Sequence, residues 1–310
     1  MKKGLVILSA MLIATMVGSG IFMSRSEVNA NETHDNNLSV SKRQSTVVGN
    51  LDIVKLYMND YYNQQEDRIV EGREERTIRI WTPKTYNPQD TSKRYAVLYM
   101  HDGQNCFDDA TSFCGEWGID ETITEFMEQR GYDGTIVVGI DNSNYREPEM
   151  KPNWVNEESL ADRYADFIVN TVKPYVDANY NTYTDYKHTG VGGSSMGGLI
   201  SFYMAMKYPE VFDYEVCFAP AFLFVSTETV ADYMARHNLA NRNQPRIYMF
   251  CGGMDLDAQL VGYVEPMKNA IIANGYDPNK VVTNIDMSKG HNESAWRIYF
   301  KPAYEWLLGL

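Results

Sequence analysis

Apolar positions along the chain fall into two alternating patterns, short continuous runs and longer stretches with helical spacing. Residues 95–100 are an unbroken apolar run bounded by turn residues, the pattern of a strand buried on both faces of a parallel sheet, and 135–140 read as the next buried strand. Residues 70–80 alternate in character and end at Trp81-Thr82-Pro83, which predicts antiparallel strands closing on a turn. Helical spacing marks 121–130, 229–237, 263–274 and 293–308. It also marks 160–178, where Tyr164, Phe167, Ile168, Val172 and Tyr175 share a face and Pro174 must kink or end the regular part. Further runs around Val216, at 246–251 and at 281–285 complete the set of strands. Strands alternating with helices predict an α/β fold, a mostly parallel sheet covered by helices on both faces.

The first thirty residues follow neither pattern. Lys2 and Lys3 precede an apolar run from Gly4 to Ala14, and Val28-Asn29-Ala30 resembles a small-x-small cleavage site. Residues 1–30 are therefore expected to be a secretory signal peptide, with an uncleaved anchor as the alternative, and 31–46 a polar linker. Residues 47–310 are then one exported domain. Without the leader the chain holds 25 basic and 40 acidic residues, a net charge of −15. That balance disfavours nucleic acid and anionic membrane surfaces as partners and suits a neutral small-molecule or polysaccharide substrate. Of four cysteines, Cys217 and Cys251 sit in apolar runs and read as buried thiols, whereas Cys106 and Cys114 flank a short polar loop. In an exported protein a local disulfide between the latter two is expected. None has metal-ligand spacing, and no metal or other cofactor is expected.

The chemistry is concentrated in Gly190-Val191-Gly192-Gly193-Ser194-Ser195-Met196-Gly197-Gly198-Leu199, which contains Gly193-x-Ser195-x-Gly197. G-x-S-x-G between a strand and a helix is a nucleophile elbow, a turn so tight that only small residues fit beside the serine. The helix that follows aims the positive end of its dipole at any oxyanion formed there. A serine needs a base, and the base needs an orienting acid; after an elbow the acid precedes the histidine in the chain. His34, His101, His188 and His237 are badly placed for that order. His291, in the loop after the 281–285 strand, fits it. The acid is expected in Cys251-Gly252-Gly253-Met254-Asp255-Leu256-Asp257. Asp255 is favoured as the first carboxylate at the sheet edge, and Asp257 is read as a helix cap, although either carboxylate could serve. The oxyanion hole is expected from the backbone N–H of Met196 and of Gln104, the latter in the loop His101-Asp102-Gly103-Gln104-Asn105. His101 reads as structural.

Taken together, 95–105, Val137-Val138-Gly139-Ile140-Asp141-Asn142, 193–199, Lys207-Tyr208-Pro209-Glu210-Val211-Phe212 and Gly290-His291-Asn292-Glu293-Ser294-Ala295-Trp296 resemble the "putative esterase" branch of the α/β-hydrolases. That branch includes feruloyl and acetylxylan esterases, enterochelin esterases, S-formylglutathione hydrolases and the antigen 85 mycolyltransferases. The resemblance implies an α/β-hydrolase fold, nucleophile Ser195, base His291, an acid at the G-x-x-D position Asp255, and oxyanion donors Gln104 and Met196. Many relatives carry glutamate at the acid position, so an aspartate must reach with a shorter side chain. Export and an aromatic-rich chain, with 22 tyrosines and 5 tryptophans, fit an acetyl or feruloyl ester on a carbohydrate. A siderophore esterase, an acyltransferase and a catalytically silent binding protein on the same fold are the alternatives.

Overall fold

In the computed structural model of the protein, the described residues are 44–58, 61–63, 68–70, 74–154 and 159–309. The expected signal peptide and nearly all of the expected linker lie outside them. Ser45 and Thr46, at the linker's end, are tied to the folded body: both bond Asp108, and Thr46 Oγ1 donates to Glu116 at 2.9 Å.

In chain order the strands are β1 (Asn50–Met58), β2 (Tyr61–Asn63), β3 (Arg68–Val70), β4 (Glu74–Thr82), β5 (Ala96–His101), β6 (Thr135–Ile140), β7 (Thr189–Ser194), β8 (Tyr214–Phe218), β9 (Arg246–Gly252) and β10 (Val281–Asp286). Eight of them form one sheet in the order β1-β4-β6-β5-β7-β8-β9-β10, and β2 and β3 pair separately. The pairs β1/β4 and β4/β6 are antiparallel; from β6 through β5, β7, β8 and β9 to β10 every neighbour is parallel. The C-terminal ends of β5, β7, β9 and β10 therefore share one edge, where open α/β sheets place their chemistry.

The apolar runs became strands buried at every residue, as in β5, β6 and β8, and the glycine-rich β7 is buried throughout as well. Such a sheet needs cover on both faces, which the helices supply: α1 (Ile119–Arg130), α2 (Arg146–Met150), α3 (Ala161–Phe167), α4 (Lys173–Asn179), α5 (Met196–Lys207), α6 (Thr227–Arg236), α7 (Asp257–Ala273) and α8 (Glu293–Leu308). The expected helix at 160–178 does not end at Pro174. A wide π-type turn, Ile168–Val172, joins α3 to α4 and takes up the backbone disturbance, leaving the proline in the first turn of α4 where its missing N–H costs nothing. Helix α7 starts six residues earlier than its apolar spacing indicates, and that extension carries Asp257.

Two expectations about cysteine and strand content need correction. Cys106 and Cys114 are both free thiols, with Cys106 fully buried and Cys114 exposed. The Cys106 side chain turns into the core with its Sγ near the Asp102 carbonyl at 3.9 Å, and burial pushes its thiol pKa well up. It cannot face a surface partner from there. The antiparallel partners of β4 are β1 and β6, both outside the alternating segment rather than within it. Much of β1 is exposed, Ile53 and Tyr57 included, so its apolar residues do not mark a buried face.

Candidate active site

Ser195 sits between β7 and α5 with φ 59° and ψ −119°. A residue with a Cβ pays for that geometry, and here the neighbours impose it. A Cβ on Gly193 would lie 2.9 Å from the carbonyl carbon of Gly197, and one on Gly198 would lie 2.9 Å from the Phe218 carbonyl oxygen. The serine backbone is pinned on both sides, its N–H donating to Phe218 at 2.9 Å and its carbonyl accepting from Leu199 and Ala221. The hydroxyl makes no cap on α5, so the N–H groups of the first turn, Met196 among them, have no acceptor from the serine side chain.

The oxyanion loop lies beside the elbow. Strand β5 ends at His101, Asp102 turns through a left-handed φ of 55°, and Gly103 crosses β6 so closely that a Cβ would be 2.4 Å from the Gly139 carbonyl carbon. Gln104 is fixed at both ends: its Oε1 accepts the Asn142 N–H at 3.1 Å and its carbonyl accepts the Thr111 hydroxyl at 2.8 Å. His101 is structural, as expected. It is buried against the Tyr164 hydroxyl (Nδ1 to Oη, 2.9 Å), and burial pushes its pKa down to about 4, so it is neutral at pH 7.

His291 stands in the loop after β10, and its Nδ1 meets Asp257 Oδ1 at 2.6 Å. Asp257 is fully buried, and its second oxygen accepts the Gly252 N–H at 2.8 Å. The acid expectation is thereby corrected: the carboxylate on His291 is Asp257, not Asp255. Asp257 is the first residue of α7, and side chains in a helix lean toward its N-terminus, here back to the end of β9 and the histidine loop. Asp255 occupies a left-handed turn at φ 53° that sends its carboxylate to Gly290, where a Cβ would lie 2.1 Å from Asp255 Oδ2. Gly252 allows the two loops to close, because its Cβ would sit 2.3 Å from the Lys289 carbonyl oxygen and 2.6 Å from Asp257 Oδ2.

Several residues beyond the expected set hold this site together. Trp296 packs edge-on to the His291 ring at 5.1 Å, Trp117 lies 5.3 Å from Trp296, and Phe218 stacks on Trp117 at 5.3 Å. Since Phe218 also accepts the Ser195 N–H, this aromatic row runs from base to elbow. Glu293, next but one to His291, accepts from Asn105 of the oxyanion loop at 3.1 Å, and burial pushes its pKa up. Trp296 and Glu293 fall in the segment 290–296, but their contacts with Trp117 and Asn105 are long-range and have no local signature. Among the described residues no group of three or more His, Cys, Asp or Glu could hold a metal ion.

Comparison with known proteins sets this geometry in a family. The family described as "Putative esterase" matches residues 71–303. The chain belongs to that family. It is a carboxylic-ester hydrolase of the α/β-hydrolase fold. Among curated relatives, the uncharacterized protein YbbA of Bacillus subtilis (strain 168) is 22% identical over 250 residues, spanning 76% of this esterase and 93% of YbbA. Solved structures with the same fold include the feruloyl esterase module from Clostridium thermocellum complexed with sinapinate (18% identity, 83% of this chain and 88% of that one, TM-score 0.58). Another is the siderophore hydrolase EstA from Aspergillus nidulans, at 13% identity, 89% and 99% coverage and a TM-score of 0.58.

Proposed function

We propose that this esterase works through an acyl-enzyme formed on Ser195, with His291 as general base and Asp257 as the orienting acid. The observation that carries the reading is the 2.6 Å contact between His291 Nδ1 and the buried Asp257, at the same sheet edge as a serine in strained elbow geometry. Asp257 accepts the Nδ1–H, fixes the tautomer that leaves Nε2 free to take the serine proton, and stabilises the imidazolium as it forms. Ser195 attacks the acyl carbon, and the carbonyl oxygen becomes an oxyanion held by the N–H groups of Met196 and Gln104. The imidazolium returns its proton to the leaving alcohol. Water, deprotonated by His291, then releases the acid and regenerates the serine.

The substrate in this reading is an acetyl or feruloyl ester on a carbohydrate, met outside the cell. The acidic chain, the leader-like residues 1–30 and the fold shared with a feruloyl esterase support it. The fold is equally shared with a siderophore hydrolase, so the test is a substrate panel. Purified enzyme is assayed on p-nitrophenyl acetate, methyl ferulate, acetylated xylan and a catecholate trilactone. Turnover of the feruloyl or acetyl-sugar ester, with kcat/KM at least tenfold above the trilactone, supports the assignment; the reverse ranking replaces it with siderophore hydrolysis.

A further inference from the structure

Resting on the esterase reading, we propose that Arg146 is a positioning residue that acts through Asp102, cancelling a carboxylate which the fold forces against the oxyanion-binding turn. Asp102 has no freedom to leave. It is the left-handed hinge between β5 and Gly103, and Gly103 is locked over β6 by backbone contact with Gly139. Its carboxylate lies on the first turn of α5, with Oδ2 only 3.5 Å from where a Cβ on Gly197 would be. Gly197 follows Met196, whose N–H is assigned to the oxyanion. A negative charge is thus built in beside the point where the reaction develops another.

The compensation comes from one cation. Arg146 Nε and Nη2 bond the two Asp102 oxygens at 2.7 Å each, and Asn142 Nδ2 adds a third bond at 2.8 Å. His101, the adjacent residue, is neutral and contributes no charge. Burial alone would push the Asp102 carboxyl up; the Arg146 charge and its hydrogen bonds outweigh that and hold it below the ordinary value, so Asp102 stays ionised. Nearby Glu293 is a second carboxylate, which Asp102 pushes up and Arg146 pulls down. A neutral ester carbonyl hardly senses an uncompensated Asp102, whereas the oxyanion is repelled by it. Losing the Arg146 charge therefore affects the transition state and spares ground-state binding.

A double-mutant cycle in the full chain reads this out, using p-nitrophenyl acetate with melting temperature as the control for folding. Arg146→Gln should lower kcat by roughly 10- to 100-fold with KM within about threefold, a size set by removing one charge next to a developing one. Asparagine tolerates the left-handed conformation at position 102, so Asp102→Asn removes the charge and keeps the turn. The double variant Arg146→Gln/Asp102→Asn should recover kcat to within about fivefold of wild type. A double variant as slow as Arg146→Gln, or an Arg146→Gln enzyme with wild-type kcat, overturns the proposal. If Arg146→Gln yields no folded protein, the double variant is read against Asp102→Asn alone: equal kcat supports the proposal, and a further tenfold loss overturns it. Full activity in Ser195→Ala would overturn the esterase reading itself and the proposal with it.

Discussion

The elbow and the acid–histidine edge are parts of one site built by opposite means. At the elbow, Gly193, Gly197 and Gly198 lie within three residues of Ser195, and the short glycine-rich turn, closed against the Phe218 carbonyl of β8, holds its φ of 59°. At the other edge, Asp257 and His291 are 34 residues apart and follow two different strands, β9 and β10; their meeting depends on Gly252 and Gly290 letting two loops touch. A site written locally can be read from its motif. A site written by packing can be read only to the nearest loop, which is how the acid came to be expected two residues early.

At the elbow, Ser195→Ala should lower kcat by on the order of 10⁴-fold or more while the melting temperature stays near wild type, since one hydroxyl is removed and the strained backbone is not. Stopped assays on p-nitrophenyl acetate check it; a rate within tenfold of wild type would remove the serine from the mechanism. At the packed edge, Asp257→Asn should cost roughly 10³- to 10⁴-fold in kcat through loss of the orienting acid, and Asp255→Asn less than about fivefold. Next comes the packing itself. A methyl at Gly252 meets the Lys289 backbone oxygen, so Gly252→Ala should pull the acid loop off the histidine loop, costing roughly 10-fold or more in kcat and about 1–3 kcal/mol in stability. Near-normal values for both would show that the loops need no such closeness.

Most of the fold was legible because its strands are buried on both faces, so β5, β6 and β8 stand out as apolar runs and α8 shows its full extent in its spacing. Strand β1 was not, since an edge strand with Ile53 and Tyr57 facing solvent carries no clean period. Ser195, His291, Met196 and Gln104 lie where motif and chain order place them at the sheet edge. Asp257 escaped because its helix begins at the residue itself and its side chain leans backward, a direction that spacing does not encode. The Cys106–Cys114 pairing failed for a related reason: sequence nearness does not tell which way a side chain turns, and Cys106 turns inward.

A predicted effect on stability alone, with no effect on kcat, lies away from both regions, on β8, and serves as a control for pH studies of the site. Glu215 is fully buried, neither carboxyl oxygen has a hydrogen-bond partner among the described residues, and burial pushes its pKa up to about 8, with the Cys217 thiol beside it offsetting a little. Between the ordinary value of 4.5 and about 8 the unfolded chain gives up this proton and the folded chain keeps it. Stability is therefore lost as pH rises across that window, by about 1.4 kcal/mol per pH unit, and no further above it. Glu215→Gln removes the slope, so its melting temperature relative to wild type should climb by roughly 5 °C or more from pH 5 to pH 8. Parallel curves for the two proteins would mean that Glu215 does not titrate in this window.

If Ser195 is driven by His291 held on Asp257, the rate of covalent labelling with a fluorophosphonate, followed by intact-mass and peptide mass spectrometry, reports it. One adduct per chain is expected on the Ser195 peptide, forming at the wild-type rate in Asp255→Asn and at least about 100-fold more slowly in Asp257→Asn. An adduct on another residue, or an Asp257→Asn enzyme labelled as fast as wild type, would contradict it.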